Sequence, residues 1–236
     1  MQIIADPKRY TEKEQLYFEV RNKEGRILSD SELATLPIAS LDNPHKKEWD
    51  IRHNNFKRLR NYLNKYPKPL KILDIGCGNG WLANQLHQLG HIITAVDLNM
   101  SELLQAERVF GKSETLHWIY ADILNEDIHV ANYDIIILAA SCQYFNDLNL
   151  LTNRLLSFIK HNGEIHLFDS IFYKNDAIHT ATKRSANYYT ALGFTAMCNY
   201  YFHHSIETLK SNGYKKMSRG IFSSSPLQWW KLTKEQ

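Results

Sequence analysis

The segment Leu73-Asp74-Ile75-Gly76-Cys77-Gly78-Asn79-Gly80 carries the residues whose types and spacing could do chemistry. Glycines at 76, 78 and 80 let a backbone turn sharply and come close to a ligand, where a Cβ would obstruct both. A dinucleotide fingerprint would require a further glycine at position 81, which is Trp81, and no Lys-Ser/Thr pair follows as a P-loop requires. Asp74 also argues against a phosphate: a carboxylate there would repel it and would pair with a cationic amine or sulfonium. Asp97 follows 21 residues after Gly76, a spacing suited to an acid that hydrogen-bonds ribose hydroxyls. Ala121-Asp122-Ile123 adds a third acid, able to accept from an adenine amine while Ile123 flanks the ring.

The elements that must position these acids alternate. Residues 70–76, 91–98, 115–122, 133–140 and 164–170 are short aliphatic runs that read as strands. Residues 81–89, 102–110 and 146–159 read as helices between them, the second capped by Ser101 and the third ended near Asn162-Gly163. Strands alternating with helices imply right-handed crossovers and a parallel sheet covered on both faces. The acids then stand at the carboxyl ends of successive strands, where open α/β sheets bind their ligands.

Outside that core the pattern is less regular. Residues 17–20 and 26–28 predict a hairpin around Asn22-Lys23-Glu24-Gly25. Ser29 with Glu32 marks a helix start. Trp49, Phe56, Leu59 and Leu63 give helical spacing over 46–66, stopped by Pro67 and Pro69. After Ser170 the alternation ends: 181–192 and 205–210 read as helices, and 214–218 and 229–233 as two final strands. The expected organisation is a helical and hairpin cap over 1–69 and a core over 70–236. Within that core, the aromatic-rich stretch 171–204 is expected to form a substrate lid.

Composition excludes several classes. Net charge is +3, from 28 basic and 25 acidic residues with no long basic run, too weak a field to imply a nucleic-acid partner. Three cysteines without a CxxC pair give neither a disulfide framework nor a zinc ribbon. The longest aliphatic run, around 135–140, is far short of the roughly 20 residues of a membrane span. The first ten residues hold no apolar stretch of signal-peptide length, so a cytoplasmic location is expected.

Taken in order, these segments resemble the class I S-adenosylmethionine (SAM)-dependent methyltransferases over about residues 70–170. LDIGCGNG is similar to the family's first motif, AVDLN to its acidic second-strand motif and ADI to its adenine-binding loop. YDIIILAASCQYF and LLSFIKHNGEIHLFDS resemble the fourth-strand motif and the helix-turn-strand after it. The resemblance implies a Rossmann-like three-layer α/β sandwich, with a seven-stranded mostly parallel sheet whose last strand is antiparallel. It implies Asp74, Gly76 and Gly78 on the methionyl part of SAM, Asp97 on the ribose, and Asp122 with Ile123 at the adenine. Gly80, Leu98 and Ser141 complete the expected donor-binding set, and S-adenosylhomocysteine (SAH) would be the product.

Methyl transfer from an activated donor needs alignment more than covalent help. A general base is needed only when the acceptor must lose a proton. Tyr144 is a candidate because it follows the fourth strand. His179 and His203 are candidates because histidine titrates near neutrality. No metal site is expected: His203 and His204 are adjacent and point apart, and Gly90 breaks the helix between His87 and His91. The Asn/Asp-Pro-Pro-aromatic motif of nucleic-acid amino-methyltransferases is replaced by Ala139-Ala140-Ser141-Cys142. The expected reaction is therefore methylation of an oxygen or nitrogen of a small molecule. Methylation of nucleic acid or protein, and SAM or SAH binding without turnover, remain the alternatives.

Overall fold

Near-continuous burial along the aliphatic runs makes a sheet covered on both faces. The computed structural model describes residues 1–67, 69–128, 132–217 and 226–235. Its strands are β1 (Gln2–Ile3), β2 (Lys71–Ile75), β3 (Ile92–Asp97), β4 (Leu116–Tyr120), β5 (Tyr133–Ala139), β6 (Ile159–Ser170), β7 (Lys215–Lys216) and β8 (Gln228–Thr233). They form one sheet in the order β1-β4-β3-β2-β5-β6-β8-β7. The last strand, β8, is antiparallel to both β6 and β7, and the other pairings are parallel. The seven expected strands are present as β2 to β8. The sheet has eight because Gln2 and Ile3 add a short edge beside Ile119 and Tyr120. The strand expected over 214–218 is confined to Lys215–Lys216, and Ser218 lies outside the described residues.

Successive side chains on a strand point to opposite faces. Ile72, Ile93, Ile135 and Ile137 pack into one core with α2 (Asp30–Thr35), α3 (Lys46–Leu63), α4 (Trp81–Gln88) and α5 (Met100–Phe110), which present Leu33, Leu59, Leu86 and Leu103. Leu73, Val96, Ile136 and Leu138 face the other core, covered by α6 (Leu148–Phe158) through Leu151 and Leu155 and by α8 (Ile206–Ser211) through Leu209. A third, smaller cluster of Val20, Tyr189 and Met197 joins α1 (Thr11–Lys23), α7 (Asn175–Leu192) and the 3-10 turn Thr195–Tyr200.

Three local expectations are corrected. The predicted hairpin at 17–28 is instead the end of α1, and the turn signal at Gly25 (φ +66°) marks where that helix stops. Ser101 does not cap α5: the Asn99 side chain accepts from the Glu102 N–H at 3.0 Å, and the Ser101 hydroxyl donates to Asn99. Asn162-Gly163 does not close α6. Asp147 caps the start of α6, Phe158 ends it, and β6 begins at once with a register shift opposite Tyr133/Ile135.

Candidate active site

The chain leaves β2 for β3 and β4 on one side and returns to β5 and β6 on the other. The order therefore reverses between β2 and β5, and a crevice opens at their carboxyl ends. Gly76 ends β2 with φ +67° and Gly78 follows with φ +54°, both in the left-handed region that a side chain disfavours. A Cβ on Gly76 would lie 2.4 Å from the Ser141 Cβ, so the loops after β2 and β5 cross there in contact. Ser141 fixes the crossing by donating its hydroxyl to the Ile75 carbonyl at 2.7 Å. Gly80 does a different job: a Cβ there would meet the Trp118 ring at 2.5 Å, so it serves helix packing. It is absent from the cavity wall although both neighbours line it.

The crevice is a cavity of about 430 Å³, lined along the strand ends by Gly76, Gly78, Asp97, Leu98, Asp122 and Ile123, and by Ser141 and Tyr144. Asp97 accepts the Gly78 N–H at 2.7 Å, so it braces the glycine loop while facing the cavity. Burial pushes its carboxyl up to about 6, against the stabilising N–H groups of Gly78, Leu98 and Asn99. Glu102 lines the same wall and is pushed to about 7 by burial and by Asp97, with Arg21 opposing. Asp74 lies behind the loop, 1% exposed, and neither of its carboxylate oxygens has a hydrogen-bond partner. Burial, then the negative charge of Asp97, pushes it up to about 7. A buried unpaired charge is costly, and a cation placed beside it removes that cost.

The opposite wall comes from the N-terminal helices. α1 lies across the strand ends. Tyr10, just before it, donates to Asp122 Oδ2 at 3.0 Å, and Glu14 accepts from the Met100 N–H at 2.8 Å and from the Tyr120 hydroxyl. Asp122 is further held by the Leu124 N–H and the Asn125 side chain, so its carboxylate already takes three donors while it lines the cavity. α3 adds Glu48, Trp49 and Arg52. Trp49 meets Trp81 edge-on at 5.6 Å.

A second chamber of about 390 Å³ shares Tyr17, Arg21, Arg26, Glu48 and Tyr144 with the first and continues toward α7. Tyr17 stands edge-on to Tyr144 at 5.7 Å, Tyr144 to Tyr201 at 6.0 Å and Tyr201 to Tyr189 at 5.7 Å. Of the three catalytic candidates, the structure brings only Tyr144 to the cavity. Burial raises its phenol above the ordinary value, partly offset by Arg21. His179 is exposed on α7, and neither it nor His203 lines either chamber. His203 packs against α7, with Ser185 Oγ 3.0 Å from its Nε2. Among the described residues no group of three or more His, Cys, Asp or Glu is placed to hold a metal, and no helix is long and apolar enough to cross a membrane.

The α1 wall carries only a weak signal in the sequence. Tyr10, Glu14, Tyr17, Arg21 and Glu24 recur at intervals of four and three, one face of a helix. That stripe is polar and aromatic rather than aliphatic, so a search for apolar periodicity passes over it.

Residues 72–163 match the family model described as a methyltransferase domain. An uncharacterized methyltransferase of Mycobacterium tuberculosis is 29% identical over 94 residues, 40% of this chain and 47% of that protein. A malonyl-[acyl-carrier protein] O-methyltransferase of Halalkalibacterium halodurans is 31% identical over 127 residues, 50% of this chain and 46% of the relative. The chain thus spans about half the length of the curated relatives it matches. Magnesium protoporphyrin IX methyltransferase of Synechocystis PCC 6803, solved with bound SAH, shares the fold with a TM-score of 0.62 at 14% identity, covering 98% of this chain and 100% of its own.

Proposed function

We propose that the chain is a class I SAM-dependent methyltransferase, as its methyltransferase-domain match over residues 72–163 and its shared fold support, and that it transfers the methyl group of SAM to an oxygen or nitrogen of a small molecule. The observation that carries the reading is Asp74. A carboxylate 1% exposed with both oxygens unpartnered fits the ammonium of a methionyl group and has no use in an apolar or phosphate site. The glycine loop admits a ligand's backbone-close approach, Asp97 is available to ribose hydroxyls, and Ile123 and Leu98 offer apolar flanks to a base.

When bound, the donor supplies a methyl activated on sulfonium: the acceptor's lone pair forms the new bond as the carbon–sulfur bond breaks, its electrons going to sulfur. The protein's own part is alignment and exclusion of water. Ser141 holds the β2 and β5 loops at one separation, and Asp97 holds the glycine loop to β3. Tyr144 stands where the two chambers meet, a wall against which an acceptor can be oriented. Residues 171–204, through α7 and the turn Thr195–Tyr200, act as the lid on the acceptor side together with α1.

A small acceptor is supported by the second chamber's volume of about 390 Å³ and by the modest net charge of +3. The test is incubation with methyl-labelled SAM and a cell extract separated into metabolite, protein and nucleic-acid fractions. Label in the metabolite fraction supports the reading. Label in protein or nucleic acid replaces it with that acceptor class. SAM binding with no label anywhere indicates a donor-binding protein without turnover.

A further inference from the structure

Arg21 joins the two chambers of the cavity, and its bonding is incomplete. It lines both. Its Nε is buried without a hydrogen-bond partner. Its nearest acid is Glu24, at 3.7 Å, and Glu24 is already taken by the Tyr188 hydroxyl at 2.7 Å and by Arg26 at 3.3 Å. The neighbouring arginines are better satisfied. Glu48 takes Arg26 at 2.7 Å and Arg52 at 2.9 Å. Arg184, on the outer rim of the second chamber, bonds the Tyr173 hydroxyl at 3.1 Å. Three guanidinium groups, of Arg21, Arg26 and Arg184, therefore line the second chamber against two glutamates, Glu24 and Glu48. The other acid near Arg21, Glu102, is held toward its neutral form by burial.

We infer that the second chamber takes an acceptor carrying a carboxylate, seated on Arg21, with its apolar body against the tyrosine wall. The inference rests on the methyltransferase reading and adds the chemical class of the acceptor. A guanidinium presents parallel N–H donors in a plane that a carboxylate matches with two oxygens, and Nε–H is one of those donors. The excess of positive charge favours an anion over a neutral or cationic acceptor. Tyr144, Tyr189 and Tyr201 stand edge-to-face in succession, which gives a flat organic acid rigid faces to lie on. A rival use of Arg21 is to hold the carboxylate of the methyl donor itself, and the experiment separates the two.

The protein is titrated in a calorimeter with 4-hydroxybenzoate and hexanoate, each beside its amide, with and without SAH. The same titrations are run on Arg21→Leu and Arg21→Lys. Separately, SAH and 5′-methylthioadenosine, which lacks the amino-acid part, are titrated into all three proteins. The expected result is binding of at least one acid, with its amide weaker by about tenfold or more. Arg21→Leu should lose that preference, and Arg21→Lys should keep part of it. SAH affinity should stay within about twofold in both variants. Equal binding of acids and amides, or no binding of either acid at millimolar concentration, overturns the inference. So does a loss of SAH affinity in Arg21→Leu that spares 5′-methylthioadenosine, which would give Arg21 to the donor. If SAH fails to bind the parent protein, the donor reading fails separately, and the titrations without SAH still decide the acid.

Discussion

Glu48 lines the cavity while Asp74 lies buried behind its glycine loop and outside the lining, and their carboxyl groups move in opposite directions. Burial pushes Asp74 up to about 7, with the charge of Asp97 adding to it. Burial also pushes at Glu48, but Arg26 and Arg52 outweigh it and hold the group down to about 2. The difference separates the halves of the cavity. The strand-end half has buried acids, Asp74, Asp97 and Glu102, with little cation to neutralise them, so it is electrostatically unfinished until a cation arrives. The half built by α1, α3 and α7 is largely neutralised within itself through Glu24, Glu48 and their arginines. A site short of a cation is built for a cationic ligand. A site of paired charges and aromatic rings is built for shape, with Arg21 a loosely held cation within it.

Substitutions in the two halves should therefore have separable effects. The largest is expected at Asp97. Asp97→Ala removes the brace on Gly78 together with the carboxylate proposed to take the ribose, and SAM affinity should fall about 100-fold in calorimetry, a loss of about 3 kcal/mol. Tyr189→Phe, in the other half, should leave that affinity unchanged. Comparable losses from both would erase the distinction.

Asp74→Asn comes next. It should weaken SAM by about tenfold, because an amide cannot neutralise an ammonium. The same change should stabilise the ligand-free protein in alkaline solution. The folded-state pKa of Asp74 is raised, so the folded state holds a proton between the ordinary value of 3.8 and about 7 that the unfolded chain has released. Its ionisation therefore costs stability progressively as pH rises across that window. The gap in Tm between variant and parent should be absent below about pH 4 and fully open above about pH 7. SAH affinity of the parent should run the opposite way, falling as pH drops through 7 and 6 and Asp74 and Asp97 take up protons. A flat affinity over that range would remove the ammonium from Asp74.

Smaller effects are expected in the acceptor half. Tyr144→Phe should leave SAH affinity alone and lower kcat/KM by less than about tenfold, since a phenol raised by burial is a poor base at neutral pH. A loss of about 1000-fold in kcat with an altered pH profile would instead make Tyr144 a proton acceptor. His179→Ala should change kcat/KM by no more than about twofold, because the residue is exposed on α7 away from both chambers.

The halves also differ in how far the sequence discloses them. The β2-to-β5 core could be read because aliphatic strands, glycine turns and strand-end acids are local signals, and the parallel topology brings them together without further information. Asp97, Asp122, Ile123 and Ser141 all reach one cavity as the motif order implies. Gly80 carries the motif's appearance but packs against Trp118, a distinction that only tertiary contact makes. The acceptor half was legible only in part. Its walls come from segments far apart in sequence, and α1 shows the reason most clearly. Its cavity face is Tyr17, Arg21 and Glu24, residues that read as surface until the helix is laid across the strand ends. His203 has the chemistry of a base, yet its ring is spent on packing against Ser185 of α7 and against Tyr173.

Calorimetric titration of the protein with SAH, with NAD as control and Asp74→Asn alongside, tests the donor site most directly. Saturable one-to-one binding of SAH, none of NAD, and a clear loss of SAH affinity in the variant are expected. Absence of SAH binding to the parent protein, or equal affinity in parent and variant, would contradict the donor-site assignment.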